Sequence, residues 1–168
     1  MRNTKPIIIG ILLFAISLLT ACNDNKSKNQ EDQTMRFFTD YMVSVHHYKV
    51  TGKKHLYFVL KPQSGCLSCY KGLRSFLENK DKIPQAKVIV VGKYAPEDLI
   101  GLQEVYNSEL LFDMANTISN YDLKAYSSGC FIIDNNGQLN WYDYVPTHSA
   151  DFEQVIEQHL STTKTLNS

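Results

Sequence analysis

Two short apolar runs constrain this chain most: His55 to Leu60 (HLYFVL) and Lys87 to Val91 (KVIVV). A continuous run of aliphatic, aromatic and β-branched residues of this length reads as a strand buried on both faces, as parallel sheets require. Between the runs, Leu67, Tyr70, Leu73, Phe76 and Leu77 recur at helical spacing while Lys71 and Arg74 face away. Strand, helix, strand in that order is a parallel βαβ unit, so the fold class is α/β.

The remaining elements extend this unit. Residues 35–50 suit a helix that frays into an extended segment. Lys61 to Gly65 reads as a loop. Pro96, Glu97 and Asp98 open a helix reaching about Tyr106, with Glu97, Asp98 and Glu104 on a solvated face. Glu109 to Phe112 is a short strand ending at Asp113, and Ala115 to Leu123 a weak helix. Phe131 to Asp134 and Gln138 to Tyr144 flank Asn135-Asn136-Gly137, a hairpin whose Asn-Gly suits a primed turn. Alternation along its second strand sends half of Trp141, Tyr142 and Tyr144 to the core. Asp151 to Leu160 is a closing amphipathic helix with Ser149 as its N-cap, and residues 161–168 read as a frayed tail. The order β-α-β-α-β-α-β-β-α implies one mixed central sheet flanked by helices, with no second domain over 35–160.

The first residues do not belong to that fold. Arg2 and Lys5 precede the apolar run Ile7 to Leu19, which is shorter than the ~20 residues needed to span a bilayer and fits a secretory leader. Leu19-Thr20-Ala21-Cys22 resembles the lipobox of bacterial lipoproteins. That resemblance implies a signal peptide over 1–21, a lipid on Cys22 as the mature N-terminus, and residence outside the cytoplasm on a bacterial membrane, facing the periplasm or at the cell surface. Asn23 to Thr34 contains no apolar residue and cannot support its own ordering, so 22–34 reads as a flexible tether. The full chain carries 17 basic and 17 acidic side chains, and losing Arg2 and Lys5 leaves a slightly acidic remainder. A balance of this kind excludes nucleic acid as a partner.

With Cys22 assigned to the anchor, Cys66, Cys69 and Cys130 remain. Cys66 and Cys69 form a C-x-x-C at the start of the amphipathic helix. There the first sulfur meets unpaired backbone N–H groups and the positive end of the helix dipole, which favour thiolate. The second sulfur is placed to resolve a mixed disulfide formed at the first.

Strand, Gly-Cys-x-x-Cys, then helix resembles the thioredoxin superfamily, and within it the TlpA/ResA-like thiol–disulfide oxidoreductases. The matching stretches are HLYFVL before GCLSCYKGL, KVIVV, ELLFDMANTISNYDL and FIIDNNGQL with its following helix. The resemblance implies a thioredoxin-like fold, Cys66 as nucleophile and Cys69 as resolving thiol. Exported protein thiols and disulfides would be the substrates and a redox protein the partner; no cofactor is needed. The chain departs from the family at three points. Gly65 and Leu67-Ser68 replace the usual aromatic and proline around the pair. Ser128 or Gly129 stands where a proline normally faces the cysteines, and the strand before the pair lacks the family's buried carboxylate. Cys130 falls beside the missing proline, either as a third redox thiol or as a small buried hydrophobe opening a strand.

Two other readings compete. Cys66–Cys69 could be a permanent bond in a binding or scaffold module, although so small a loop stabilises little. Cys66, Cys69 and His148 loosely suggest Cu(I), which favours thiolates, but the cysteine spacing of copper-binding relatives is one residue longer. His46, His47, His55 and His159 show no ligand spacing and read as surface or packing residues.

Overall fold

The computed structural model describes residues 33–50, 55–62, 65–80, 83, 86–95, 102 and 110–164, with the side chains of 162–164 excepted. By compactness the chain divides into Met1–Gln33 and Thr34–Ser168. The leader, Cys22, most of the tether and the acidic residues Glu97, Asp98 and Glu104 lie outside the described residues. Of the helix expected over 96–106, Leu102 alone is described; it is helical and fully buried.

The sheet has five strands: β1 (Leu56–Leu60), β2 (Ala86–Val91), β3 (Leu110–Asp113), β4 (Gly129–Ile133) and β5 (Leu139–Asp143). Their spatial order is β3-β2-β1-β4-β5. β2 runs parallel to both β1 and β3, whereas β4 is antiparallel to both β1 and β5. Among the described residues, three helices with continuous ranges accompany the sheet: α1 (residues 33–46), α2 (Leu67–Asn79) and α3 (Ser149–Lys164). This is the expected α/β architecture, a mixed central sheet flanked by helices.

β1 is central and all five of its residues are buried, as its unbroken apolar run requires. Alternation divides its side chains between two cores. Leu56, Phe58 and Leu60 join Cys69, Leu73 and Leu77 of α2 and Phe152 and Ile156 of α3. Tyr57 and Val59 join Phe38, Tyr41 and Met42 of α1 on the other face. The expected alternation of β5 holds too: Tyr142 and Tyr144 meet the α2 face, while Trp141 stacks near Phe131 on the α1 face, ring centroids 4.6 Å apart.

Local chemistry moves several boundaries. α1 starts at residue 33, inside the stretch read as tether, and gives way to a non-helical segment over 47–50. It stops at His47, whose φ of 52° and N–H bond to the Val43 carbonyl (3.1 Å) make an αL closure, while Tyr48 N–H donates to the Met42 carbonyl (3.0 Å). The weak helix expected over 115–123 is only a 3₁₀ turn, Thr117–Asn120, because Asn116 sits at φ 55° and Tyr121 is extended. Ser149 is not an N-cap: the 3₁₀ turn Pro146–His148 runs directly into α3, with Ser149 already in helical conformation. α3 continues to Lys164, so residues 161–164 are helical where a frayed tail was expected.

The hairpin turn is also of another type. The Asp134 carboxylate accepts from Asn136 N (2.8 Å) and Gln138 N (2.9 Å), and Gly137 N donates to the Asp134 carbonyl (3.1 Å). Gly137 adopts φ 81°, while Asn135 and Asn136 are not among the positive-φ residues. The three-residue loop Asn135–Gly137 therefore closes with a glycine bulge in place of the expected primed turn, because the aspartate holds its first part in an Asx-type turn.

Gly129, at the start of β4, is required by packing. A Cβ there would meet the Tyr142 carbonyl oxygen and the Trp141 ring, whose nearest carbons would lie 2.6 and 2.8 Å away. Because the carbonyl belongs to the neighbouring strand, it cannot swing aside. Gly129→Ala is expected to cost at least about 2 kcal/mol, measured as a lowered midpoint in chemical denaturation.

Candidate functional site: the Cys66–Cys69 pair

Cys66 occupies the N-cap of α2, and its sulfur accepts from Cys69 N–H at 3.2 Å. Its carbonyl accepts from the N–H groups of Cys69 (3.1 Å) and Tyr70 (3.3 Å), so the first turn closes around this residue. No acidic side chain stands in that turn to offset the positive end of the helix. The sequence places the pair here because β1 ends at Leu60 and the apolar periodicity of α2 begins at Leu67.

The two sulfurs are bonded to each other, with their Cα atoms 5.2 Å apart. They differ in access. Cys66 is half-buried beside the exposed Leu67 and Ser68, and Ser68 Oγ lies 3.5 Å from its sulfur. Cys69 is buried in the apolar core with Tyr70 and Leu73. An incoming thiolate or disulfide can therefore reach Cys66, while Cys69 is reached from within. A pair so arranged can accept two electrons as a disulfide and return them as a dithiol.

Ser128, Gly129 and Cys130 lie at the start of β4. β4 lies beside β1 with Val59 opposite Gly129 and Phe58 opposite Cys130. Cys130 belongs to the same core cluster as Cys69, and Cys66 packs against that cluster. It is fully buried, its sulfur faces the Phe131 carbonyl (3.3 Å), and burial pushes its thiol well above the usual cysteine range. A thiol held neutral in this way does not attack. Ser128 is buried just ahead of Gly129, and its hydroxyl accepts from Lys61 N–H at 3.0 Å.

His148 is not drawn into this cluster. It is exposed in its own 3₁₀ turn, with Nδ1 3.0 Å from Thr147 Oγ1. Among the described residues, no group of three or more histidine, cysteine, aspartate or glutamate side chains is arranged to hold a metal.

Two polar residues were not anticipated. Lys61, expected in a loop, is 6% exposed, and its amine donates to the Ala125 carbonyl at 2.6 Å. A buried carboxylate exists after all, but on β3: Asp113 is 2% exposed and accepts from Thr117 N (2.7 Å), Ile118 N (2.8 Å) and Tyr41 Oη (3.2 Å). His46 Nε2 lies 3.0 Å from Tyr41 Oη. Since the tyrosine gives its proton to Asp113, the imidazole completes the chain as the Nε2–H donor. Burial and the neighbouring Asp113 push the Tyr41 hydroxyl far above its usual range. Burial lowers the basicity of Lys61 and His46, with Asp113 opposing both shifts. The one available signal was parity: Lys61 continues the side of β1 that carries Tyr57 and Val59.

No protein-family model matches this chain, and neither does any curated protein. Among solved structures, a likeness is found to the solution structure of an uncharacterized thioredoxin-like protein from Porphyromonas gingivalis. It has 14% identity and a TM-score of 0.40 and covers 67% of this chain and 79% of the other.

Two measurements probe the site's surroundings. Cys130 should resist iodoacetamide in the native protein and react only on unfolding, as read by mass spectrometry of its peptide. The lowered basicity of His46 means that the unfolded chain binds the extra proton more readily. The stability His46 contributes is therefore present above its ordinary value of 6.5 and declines as pH falls below it. The urea midpoint should drop with acidification in the wild type and drop less in His46→Gln, which keeps an N–H donor and cannot charge.

Proposed function

We propose that this protein exchanges dithiol and disulfide with other exported proteins while anchored through Cys22 to a bacterial membrane outside the cytoplasm, facing the periplasm or at the cell surface. The observation that carries the exchange is the asymmetry of the bonded pair: Cys66 is accessible at a helix N-cap and Cys69 is buried behind it. The leader ending in Leu19-Thr20-Ala21-Cys22 supports the anchor and the location.

In the reducing direction, the Cys66 thiolate attacks one sulfur of a substrate disulfide. A mixed disulfide forms, and the other substrate sulfur leaves as a thiolate. Cys69, deprotonated, then attacks the Cys66 sulfur, re-forming the Cys66–Cys69 bond and releasing the second substrate thiolate. Two electrons have passed to the substrate, and a dithiol partner protein restores them. Run backwards, the same steps oxidise a substrate dithiol. The N-cap position of Cys66 favours its thiolate as attacking and as leaving group.

The alternative, a scaffold or binding module with a permanent bond, is weakened by the size of the ring. A disulfide joining residues three apart removes little chain entropy and is a poor staple. Equilibrating the full chain in detergent with thiol buffers of graded potential separates the two readings. A midpoint between about −270 and −120 mV is expected for exchange, whereas a pair still oxidised below about −300 mV would establish the structural role. Cys66→Ser should reduce insulin no faster than the uncatalysed background, while Cys69→Ser should accumulate a mixed disulfide at Cys66. A Cys66→Ser protein as active as wild type would refute these roles.

A further inference from the structure

β5 breaks the pattern that governs the rest of the sheet. On the side covered by α2 and α3, β1 presents Leu56, Phe58 and Leu60, and β4 presents Cys130 and Ile132. Opposite Ile132 and Cys130, β5 presents Asn140 and Tyr142. Asparagine is depleted in strands, and on a face that a helix covers it stands where an apolar side chain belongs. α3 answers in kind. Its Val155 and Ile156 pack with the core, while Gln158 and His159 line a groove shared with Asn140 and Tyr142. A local rule broken on both sides of one space marks a place shaped for something other than packing.

The groove has a volume of about 300 Å³, near the lower end of the range for small-molecule sites. Ile132 and Val155 give it an apolar floor, and the hairpin turn adds Asp134 and Asn135 to its rim. No lysine or arginine lines it, so it is not built for an anion. Three of the lining side chains are carboxamides, each carrying donors and an acceptor side by side. Among the described residues, neither the Asn140 carboxamide nor the Tyr142 hydroxyl is spent on a hydrogen bond to another part of the protein. The matching ligand is uncharged and rich in hydroxyl groups, which donate and accept at once, with a C–H face for the floor.

We propose that the groove between the β4–β5 hairpin and α3 binds a neutral monosaccharide unit. Asn140, Gln158 and Tyr142 take its hydroxyls, and Ile132 and Val155 carry its apolar face. The site is independent of disulfide exchange and lies toward the other end of the sheet. Ile132 pairs with Leu56, the first residue of β1, whereas Cys66 follows the last.

The test is saturation-transfer NMR on the full chain, held in a detergent without a sugar head group. The probes are glucose, galactose, mannose and N-acetylglucosamine, with glucuronate as the anionic control. Transfer to one or more of the neutral sugars is expected, and weaker transfer to glucuronate. Asn140→Leu removes the carboxamide at similar size, and Tyr142→Phe removes the hydroxyl alone. Each is expected to weaken binding of that sugar about fivefold, the loss of one ordinary hydrogen bond, with the urea midpoint no lower than in the wild type. Tyr142→Phe carries the test if Asn140→Leu does not fold. Absence of transfer to all four neutral sugars, stronger transfer to glucuronate, or unchanged binding in both variants would overturn the site, and none of these outcomes bears on the cysteine pair.

Discussion

The strand β1 has neither a free edge nor a free face, and the rest of the molecule is arranged around that constraint. Its backbone is paired with β2 on one side and β4 on the other, and its side chains are divided between two cores. Each large apolar side chain buried there contributes about 1.5–3 kcal/mol, so the end of the strand is a fixed point. The chain leaves it at Leu60 and is helical by Leu67, which confines Cys66 to the N-cap of α2 beyond the C-terminal end of the central strand. The chemistry of the pair is thus a consequence of where a wholly apolar strand has to stop.

The two faces of the sheet differ in what they enclose. The α2 face is apolar, and Cys69 and Cys130 are sunk in it. The α1 face surrounds a chain of polar groups running from His46 through Tyr41 to Asp113. Asp113 is stable there because three donors converge on it, two of them backbone N–H groups of the 3₁₀ turn. Those two N–H groups open the turn and would lack a partner in a helix of any length, while the extended Tyr121 ends the turn after Asn120.

What was legible in the sequence was what periodicity records. Continuous runs gave β1 and β2, helical spacing gave α2, and alternation sorted Trp141, Tyr142 and Tyr144 between the faces. The C-x-x-C could be placed because it falls between two such elements. Lys61 and Asp113 were not legible, because a polar side chain is buried only where a distant partner receives it. The partner of Lys61 is 64 residues away, and Tyr41 lies 72 residues from Asp113. The hairpin was found but its turn was misjudged: Asn-Gly was visible, while the competing hydrogen bonds of Asp134 to Asn136 and Gln138 needed coordinates.

The bond between Cys66 and Cys69 encloses a single helical turn, whereas α2 grips the sheet through Leu73, Phe76 and Leu77 farther along. On the exchange reading proposed above, making or breaking that bond leaves the gripping surface untouched, so the molecule keeps one silhouette whether or not it holds its pair of electrons. A protein that must distinguish the charged from the spent form has to sense the sulfur itself. Any contact made elsewhere on the scaffold serves both forms alike.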